Sequence, residues 1–308
     1  MIENTIYLDE KYSTTKLLTR EKPEIVNNSE DKFESVLFLS EGKERKSEGG
    51  LRTKGYYKKS YEDKPLISII TVVYNGEKYL EETILSVINQ TYDNVEYIII
   101  DGGSTDGTID IIKKYNDKID YWVSEKDDGI YDGMNKGIKL CMGDIIGLIN
   151  ADDWYEKDTI SLVIEKYLEN NDYDIFHGNI NYIDKSQKKY KPKFTYTNML
   201  YKGMSLYHPT CFVKKSLYND ELFDSNYKLV ADYKFIFSMM LKEKNFYYID
   251  KVLANMRAGG AGTAFWKRIV EGHKIRNDLG FIKFLVYVTS FYRISITLAS
   301  KLKKMLKI

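Results

Sequence analysis

The sequence predicts an α/β protein with a mainly parallel sheet flanked by helices. From Leu66 to Tyr74 runs an almost unbroken series of apolar and β-branched side chains, typical of a strand covered on both faces. Apolar residues then recur at helical spacing to about Asn89, and a second β-branched run follows from Val95 to Ile100. Alternating strands and helices imply right-handed crossovers, and therefore parallel strands.

The alternation continues to residue 155 and is less regular beyond it. A third strand is expected at Asp120 to Ser124, and a fourth at residues 144–149, after a helix from Ile130 to Cys141. Farther along, the apolar pattern predicts helices near 160–167, 227–241 and 264–278, and strands near 173–183 and 246–253. We therefore expect one domain with two halves, residues 65–155 and 156–280.

The first 64 residues differ from this middle region in composition. They are rich in Lys, Glu, Ser, Asn and Gly, and only Val36 to Leu39 predicts a strand. Residues 41–64 carry four glycines among many charges, which is typical of a linker or a loosely packed extension. We expect a solvated N-terminal extension with no assigned function.

The last segment, residues 281–308, is apolar on average but interrupted by charges. Lys283 and Arg293 leave nine uncharged residues between them, fewer than the roughly 20 that span a bilayer. Four lysines cluster near the end, at positions 301, 303, 304 and 307. The pattern predicts a basic amphipathic helix that lies on an anionic membrane surface, or one that packs on the domain or on a partner chain.

Bulk composition excludes several classes of protein. With 43% hydrophobic and 30% charged residues among 308, the chain is typical of a soluble globular protein. Its net charge of +1 argues against a strongly basic nucleic-acid binder. Cys141 and Cys211 have no metal-type or redox-type spacing. The N-terminus shows no signal-peptide pattern, so we expect a cytoplasmic protein.

Four motifs follow one another between residues 69 and 153. They are IITVVYN from Ile69, EYIIIDGGSTDGT from Glu96, DDGIYDGMNKG from Asp127 and NADD from Asn150. In this order they resemble the nucleotide-binding half of glycosyltransferase family 2, the inverting transferases of the GT-A fold, of the type that builds bacterial surface polysaccharides. The resemblance continues more weakly to about Arg276, and both terminal segments lie outside it.

The resemblance implies a nucleotide-sugar donor, above all a UDP-sugar. In this family an acid at the end of the second strand, here Asp101, accepts a hydrogen bond from the uracil ring. Three of the candidate donor-binding residues have a structural alternative. Asp106 could instead cap the next helix, Lys136 could lie on a solvated helix face, and Arg257 could lie in a surface loop. The residues expected to bind the donor are Thr71, Val73, Tyr74, Asn75, Asp101, Asp106, Asp128, Asn135, Lys136, Asp152 and Arg257.

The acids that follow the fourth strand are the candidate metal site, since ligands bind outside the carboxyl ends of parallel strands. Mg²⁺ or Mn²⁺ needs only one or two carboxylates where phosphate oxygens complete its shell. The resemblance implies that Asp152 binds the ion, and that Asp153 shares this work or faces the sugar. Asn150 replaces the first acid of the family's Asp-x-Asp triplet, which predicts a modest metal affinity. The alternative is a turn, or the cap of a helix near Asp158.

Inversion at the anomeric carbon needs a base that takes the proton of the acceptor hydroxyl. Asp232, in LVADYKF, resembles the family's catalytic acid, although its position also suits an N-cap, and Asp224 is the second choice. His208 is expected to line the sugar or acceptor pocket, although a lone His is more often structural. Trp154 and Trp266 suit either stacking on a sugar or core packing.

The motifs together predict an inverting glycosyltransferase. It would use a nucleotide-sugar donor and Mn²⁺ or Mg²⁺ to glycosylate a glycan or a lipid-linked acceptor. It would be cytoplasmic or peripheral at the inner face of the membrane. Two alternatives are a non-catalytic carbohydrate-binding or scaffold protein on the same fold, and a glycosidase with two carboxylates. A glycosidase would have no use for a nucleotide site, and its activity would not depend on a nucleotide donor.

Overall fold

The structure is a computed structural model that describes residues 5–42, 44–184, 192–193, 195, 197–258 and 265–280. The strands in chain order are β1 (Leu18–Thr19), β2 (Arg45–Gly49), β3 (Tyr57–Lys58), β4 (Ile67–Val73), β5 (Val95–Asp101), β6 (Tyr121–Glu125), β7 (Ile145–Asn150), β8 (Trp154–Tyr155), β9 (Ile175–Ile183), β10 (Cys211–Lys214) and β11 (Phe246–Arg257). The α-helices are α1 (Leu80–Ile88), α2 (Thr108–Lys114), α3 (Ile130–Leu140), α4 (Thr159–Glu169), α5 (Lys215–Asp220), α6 (Ala231–Leu241) and α7 (Phe265–Asp278).

Nine of these strands form one sheet in the order β2-β6-β5-β4-β7-β10-β9-β11-β8. The four central strands β6, β5, β4 and β7 are mutually parallel, and β9 and β11 run in the same direction. The other three, β2, β10 and β8, run the opposite way. The sheet is therefore mixed, with six strands in one direction, and the predicted mainly parallel α/β fold is confirmed.

Helices cover both faces of the sheet, which explains why the central strands are apolar throughout. Successive side chains of a strand point to opposite faces, so Ile70 and Val72 face the core beneath α3 and α6. Ile67 and Ile69 face the other core, where α1 and α4 pack. All seven residues of β4 are buried, as are all seven of β5.

The N-terminal region is packed onto the domain, and two predictions about it are wrong. Residues 36–39 form no strand, and the segment 41–64, predicted to be a loose linker, extends the sheet instead through β2, which pairs antiparallel with β6. Arg52 is buried and forms an ion pair with Glu96 of β5. The polar composition wrongly suggested a solvated segment, because the side chain buried here is a charged one, paired with an opposite charge, rather than an apolar one.

Two predicted boundaries shift, and one segment lies outside the described residues. Helix α6 begins at Ala231 rather than Tyr227, and β11 extends past Leu253 to Arg257. The amphipathic helix predicted for residues 281–308 lies outside the described part of the chain. Within the described part, no helix combines the length and apolarity needed to cross a bilayer. The division into halves at residue 155 stays a prediction.

Candidate active site

The carboxyl ends of β5, β4 and β7 lie side by side and bring the motifs together. In the strand register, Val73 of β4 is opposite Asp101 of β5, while Val72 is opposite Asn150 of β7. The loops that follow also approach closely, since a Cβ added to Gly76 would lie 3.5 Å from Ala151 Cβ. Asp101 and the NADD segment therefore flank the end of β4 at one edge of the sheet.

Asp101 is fully buried, and its carboxylate is held by its own loop and by β6. Oδ2 accepts hydrogen bonds from the backbone N–H of Ser104 at 3.0 Å and of Gly103 at 3.2 Å, and from Ser124 Oγ at 2.6 Å. Oδ1 accepts one from Ser104 Oγ. The carboxylate thus shapes the turn after β5. A uracil N–H would reach it only where one of these donors moves aside.

The end of β4 presents one side chain to solvent. Tyr74 is 65% exposed, whereas Thr71 and Val73 are buried. Thr71 Oγ1 lies 3.0 Å from Tyr97 Oη inside the sheet. Both side chains face the core, so a contact of Thr71 or Val73 with the nucleobase would be made by the backbone, and donor binding by these two residues stays a prediction. Of the three, Tyr74 alone is placed to stack on a ligand.

Asn75 and Asp106 join the loops that follow β4 and β5. Asn75, with φ of +50°, accepts a hydrogen bond from the backbone N–H of Thr105 at 2.8 Å. Asp106 accepts from the backbone N–H groups of Glu77 and Thr108 at 3.2 and 3.1 Å. Burial would raise the pKa of Asp106, but these hydrogen bonds outweigh it and hold the pKa below its usual value. The carboxylate of Asp106 thus joins the loop after β4 to the turn before α2, whose N-cap residue is Gly107.

The loop between β6 and α3 adds an acid that the sequence analysis missed. Asp127 accepts a hydrogen bond from the backbone N–H of Gly129 at 3.0 Å. Its Oδ2 packs against Gly102, where an added Cβ would lie only 2.6 Å from this oxygen. Burial raises the pKa of Asp127. Asp128, the predicted donor-binding residue, is exposed beside it. In the sequence, Gly102 was the feature that could have indicated this contact, because a residue without a side chain leaves room for the carboxylate of Asp127.

Asn135 and Lys136 of α3 are engaged by other groups of the protein. The Asn135 amide exchanges two hydrogen bonds with the backbone of Phe223, at 2.8 and 3.0 Å. Lys136 Nζ pairs with Glu125 at 3.0 Å and with Asp132 at 3.3 Å. Contact of either residue with the diphosphate or the sugar would require these hydrogen bonds and ion pairs to rearrange, and it stays a prediction. Asn135 fastens α3 to the segment before α6, and Lys136 fastens it to β6.

The NADD segment contains two carboxylates in different surroundings. Asp153 is 1% exposed and accepts hydrogen bonds from the backbone N–H of Arg257 at 3.0 Å and from Asn150 Nδ2 at 3.3 Å. Burial, and then the charge of Asp152, raise the pKa of Asp153 well above its usual value. Asp152 is only partly buried, and within the described residues no other side chain holds its carboxylate. Asp152 is therefore the acid available to a ligand.

Arg257 is hydrogen-bonded to the backbone of the NADD segment. Its guanidinium donates to the backbone oxygen of Asp152 at 2.8 Å and pairs with Glu82. It also lies between the rings of Tyr79 and Trp154, 4.3 Å from each centroid. The guanidinium is thus engaged within the protein, and its predicted contact with the diphosphate stays a prediction. Trp154 packs on Arg257, and Trp266 lies exposed on α7.

Asp232 lies in the first turn of α6 and faces the start of α3. Tyr131 Oη donates a hydrogen bond to Asp232 Oδ1 at 3.0 Å, and α3 begins at the carboxyl end of β6. Asp232 is therefore brought to the same edge of the sheet as Asp101 and Asp152. It makes no side-chain capping bond at the start of α6. Asp224, the second choice, is engaged by Lys234 and Asn226 in a loop.

His208 lies near Asp232, as a sugar-facing or acceptor-facing residue would. Its Nε2 is buried and has no hydrogen-bond partner among the described residues. Burial lowers the pKa of His208, and the charge of Asp232 offsets part of that effect. A neutral imidazole with one unsatisfied nitrogen is suited to a hydrogen bond with a ligand hydroxyl.

The oxygen atoms of the NADD segment fit a divalent ion only in part. Over the described ranges, no three His, Cys, Asp or Glu side chains gather as a metal site. Asp152 offers a carboxylate, and Asn150 Oδ1 is a buried oxygen without a hydrogen-bond partner. Mg²⁺ and Mn²⁺ accept such sparse protein ligation where phosphate oxygens complete the shell. These residues therefore fit an ion that binds together with the donor.

Solved structures share this fold at low sequence identity. TarS of S. aureus, residues 1–349 in complex with UDP-GlcNAc, superposes with a TM-score of 0.57 at 18% identity, over 72% of this chain and 69% of that one. The mannosyltransferase PcManGT from Pyrobaculum calidifontis, in complex with GDP-Man and Mn²⁺, gives 0.56 at 16% identity, over 77% and 76%. The architecture is thus that of GT-A transferases.

Sequence comparison leads to the same group of proteins. An uncharacterised glycosyltransferase of Rickettsia typhi is 32% identical over 215 residues, 65% of this chain and 66% of the relative. TuaG of Bacillus subtilis, named provisionally for teichuronic acid biosynthesis, is 36% identical over 110 residues, 34% of this chain and 43% of the relative. The chain spans 66% or less of the length of these relatives. The model of glycosyl transferase family 2 matches residues 68–244, more than half of the chain, and the protein therefore belongs to that family.

Proposed function

We propose that the protein transfers a sugar from a UDP-sugar to a hydroxyl of a glycan or a lipid-linked acceptor, with inversion at the anomeric carbon. The observation that supports this most is the placement of two acids at one edge of the sheet. Asp152 follows β7 on the donor side, and Asp232 faces that edge from the start of α6. Inversion needs such an arrangement, with the leaving group and the base on opposite faces of the sugar.

Each residue has one task in this proposal. Tyr74 stacks on the base, and Asp101 holds the loop that borders it. Asp232 takes the proton of the acceptor hydroxyl, and His208 donates or accepts a hydrogen bond at the same acceptor. Asp152 and Asn150 would hold Mn²⁺ or Mg²⁺, which supplies Lewis-acid neutralisation of the charge on the departing diphosphate when bound.

The relatives support the choice of substrates. The names of two solved neighbours include UDP-GlcNAc and GDP-Man with Mn²⁺. TuaG is named for teichuronic acid, and a further relative, 26% identical over 213 residues, is a chondroitin synthase of Escherichia coli. All of these names concern donors or products of polysaccharide chemistry. A polysaccharide precursor is therefore the acceptor class we infer for this chain.

The test is release of UDP from a panel of UDP-sugars, with Mn²⁺ and a polysaccharide-type acceptor, by wild type, Asp232→Asn and Asp224→Asn. Loss of a general base costs roughly 10²–10⁴ in rate, so Asp232→Asn should fall by that factor. Asp224→Asn should retain turnover, because its carboxylate is engaged by Lys234. Loss in Asp224→Asn alone would reassign the base. Donor binding without transfer would instead support a non-catalytic carbohydrate-binding protein.

We further infer that residues 281–308 bring the enzyme to the inner face of the membrane, where lipid-linked acceptors lie. The four terminal lysines and the apolar residues before them support electrostatic binding to anionic lipid. The full chain should co-sediment with vesicles that contain phosphatidylglycerol, and not with neutral vesicles. Reversal of Lys301 and Lys304 to Glu should abolish that binding. Equal binding to both kinds of vesicle would contradict the inference.

A further inference from the structure

Tyr131 is a buried tyrosine that connects the two halves of the site. It is the second residue of α3, 6% exposed, and its hydroxyl donates to Asp232 Oδ1 across 3.0 Å. Asp232 lies 101 positions farther along the chain, as the second residue of α6. The hydroxyl of Tyr131 therefore links α3 to the proposed base and to the first turn of α6. None of the tasks given above to the site residues uses this tyrosine.

The direction of this hydrogen bond is fixed by chemistry. An ionised carboxylate has no proton to give, so the phenol is the donor. Burial, and then the negative charge of Asp232, raise the pKa of Tyr131 well above its usual value. The hydroxyl therefore keeps its proton over the neutral and mildly alkaline range. The ring itself packs against Phe223, with 5.7 Å between centroids, which limits its movement.

The carboxylate of Asp232 is held on one side only. Oδ1 accepts from Tyr131, whereas Oδ2 accepts from no other side chain within the described part of the chain. His208 Nε2, buried and without a partner there, is close enough for the charge of Asp232 to act on it. One carboxylate oxygen is thus restrained, and the other remains available beside a second polar group without a partner.

We propose that Tyr131 is a positioning residue for Asp232. By holding Oδ1, it turns Oδ2 towards the acceptor hydroxyl and limits rotation of the carboxylate. The inference rests on the proposed function, because it assigns Asp232 the role of base. Since α3 starts directly after Asp127 and Asp128, the base is oriented by the helix that borders the donor site. The segments that precede these two helices are also joined, by a hydrogen bond from Lys228 Nζ to the backbone oxygen of Asp128 at 3.3 Å.

The experiment compares Tyr131→Phe with Tyr233→Phe in steady-state transfer. Both changes remove one buried hydroxyl; that of Tyr233 donates to the backbone oxygen of Leu200 at 2.9 Å. We expect Tyr131→Phe to lower kcat about tenfold while KM for the donor changes by less than about twofold, since positioning of a base acts on the chemical step. Tyr233→Phe should leave kcat close to that of wild type. Unchanged kcat in Tyr131→Phe, or an equal fall in both variants, would overturn the proposal.

A second measurement needs no turnover. Urea unfolding of wild type, Tyr131→Phe, Asp232→Ala and the double variant forms a double-mutant cycle. Tyr131→Phe should reduce stability more in the wild-type background than in Asp232→Ala, where the phenol has lost its carboxylate acceptor and keeps only the backbone N–H groups of residues 231 and 232. Additive effects would show that the contact is absent and would overturn the proposal. A coupled cycle together with a wild type that transfers no sugar would instead overturn the proposed function, and the positioning role with it.

Discussion

Asn150 lies beside the carboxylates of Asp152 and Asp153 and donates a hydrogen bond only to that of Asp153. Its Nδ2 donates to Asp153 at 3.3 Å, while its Oδ1 is buried without a partner. Burial and the charge of Asp152 raise the pKa of Asp153 well above its usual value, so the buried acid resists ionisation. The segment therefore offers an ion one partly exposed carboxylate and one amide oxygen. This favours an affinity that depends on the phosphates of the donor.

Restoring the acid at this position tests that interpretation. In Asn150→Asp, a third carboxylate adds charge for the ion, and we expect half-maximal activity at a several-fold lower Mn²⁺ concentration. Without metal the same charge repels its neighbours, and the hydrogen bond to Asp153 is lost, so the apparent Tm should fall. Asn150→Ser, which adds no charge, is the matched control for the lost amide. An unchanged metal requirement in Asn150→Asp would place the ion away from this segment.

At the scale of elements, the N-terminal region shows how charge replaces apolar burial. Arg52 donates to Glu96 on β5, to the backbone oxygen of Leu140 at 2.9 Å and to that of Leu37 at 3.1 Å. Glu96 also accepts from Ser68 Oγ and from the backbone N–H of Met142. The residues between β2 and β3 are therefore fixed to the central strands by a hydrogen-bonded network of buried charge.

Removing the cation should measure how strongly this region is attached. Breaking a buried pair by deleting one partner costs about 3–5 kcal/mol, because the remaining charge is left unpaired. Arg52→Met should lower the free energy of unfolding in urea by that amount. Lys54→Met, on the same turn, removes an exposed pair with Asp117 and should cost at most ~1 kcal/mol. Equal small losses in both variants would mean that residues 45–58 fold independently of the sheet.

The same region shows which features the sequence could predict. The central strands were predicted to within a residue or two, because both faces are covered and the apolar run marks the whole strand. β2, with the sequence RKSEG, has no such run, and its pairing with β6 depends on a segment some 75 residues away. A polar edge strand such as β2 is therefore not predicted from apolar runs in the sequence, because these runs mark only strands with buried side chains.

Across the whole molecule, the order of the motifs predicted that their loops meet at the carboxyl ends of β4, β5 and β7, but not which partners the side chains there have. Asp101 ends β5 and Asp152 follows β7, the two strands that flank β4, and a hydrogen bond from Tyr131 ties Asp232 to the start of α3. Asn135 and Arg257 are instead engaged by Phe223 and Glu82, 88 and 175 residues away in sequence. Such pairings depend on tertiary packing, which spacing along the chain does not encode. Tyr131 was missed for the same reason.

Acid stability is a property of the whole fold to which His177 contributes. Burial between β10 and β11 lowers the pKa of His177 to about 4, from an ordinary value of 6.5, and Nδ1 lies 2.8 Å from Thr195 Oγ1. Between these two pH values the unfolded chain binds a proton that the folded chain does not. By linkage, this contribution to stability is fully present above about 6.5 and is lost as the pH falls towards 4.

Replacing His177 should therefore flatten the dependence of stability on pH. In His177→Gln the side chain can still reach Thr195 but takes up no proton on unfolding, so its urea midpoint should fall less between pH 7 and pH 5 than that of wild type. Other groups titrate equally in both proteins, so the difference between the two slopes isolates His177. Parallel slopes for His177→Gln and wild type would mean that the buried imidazole is already protonated at pH 5, against the direction that its burial requires.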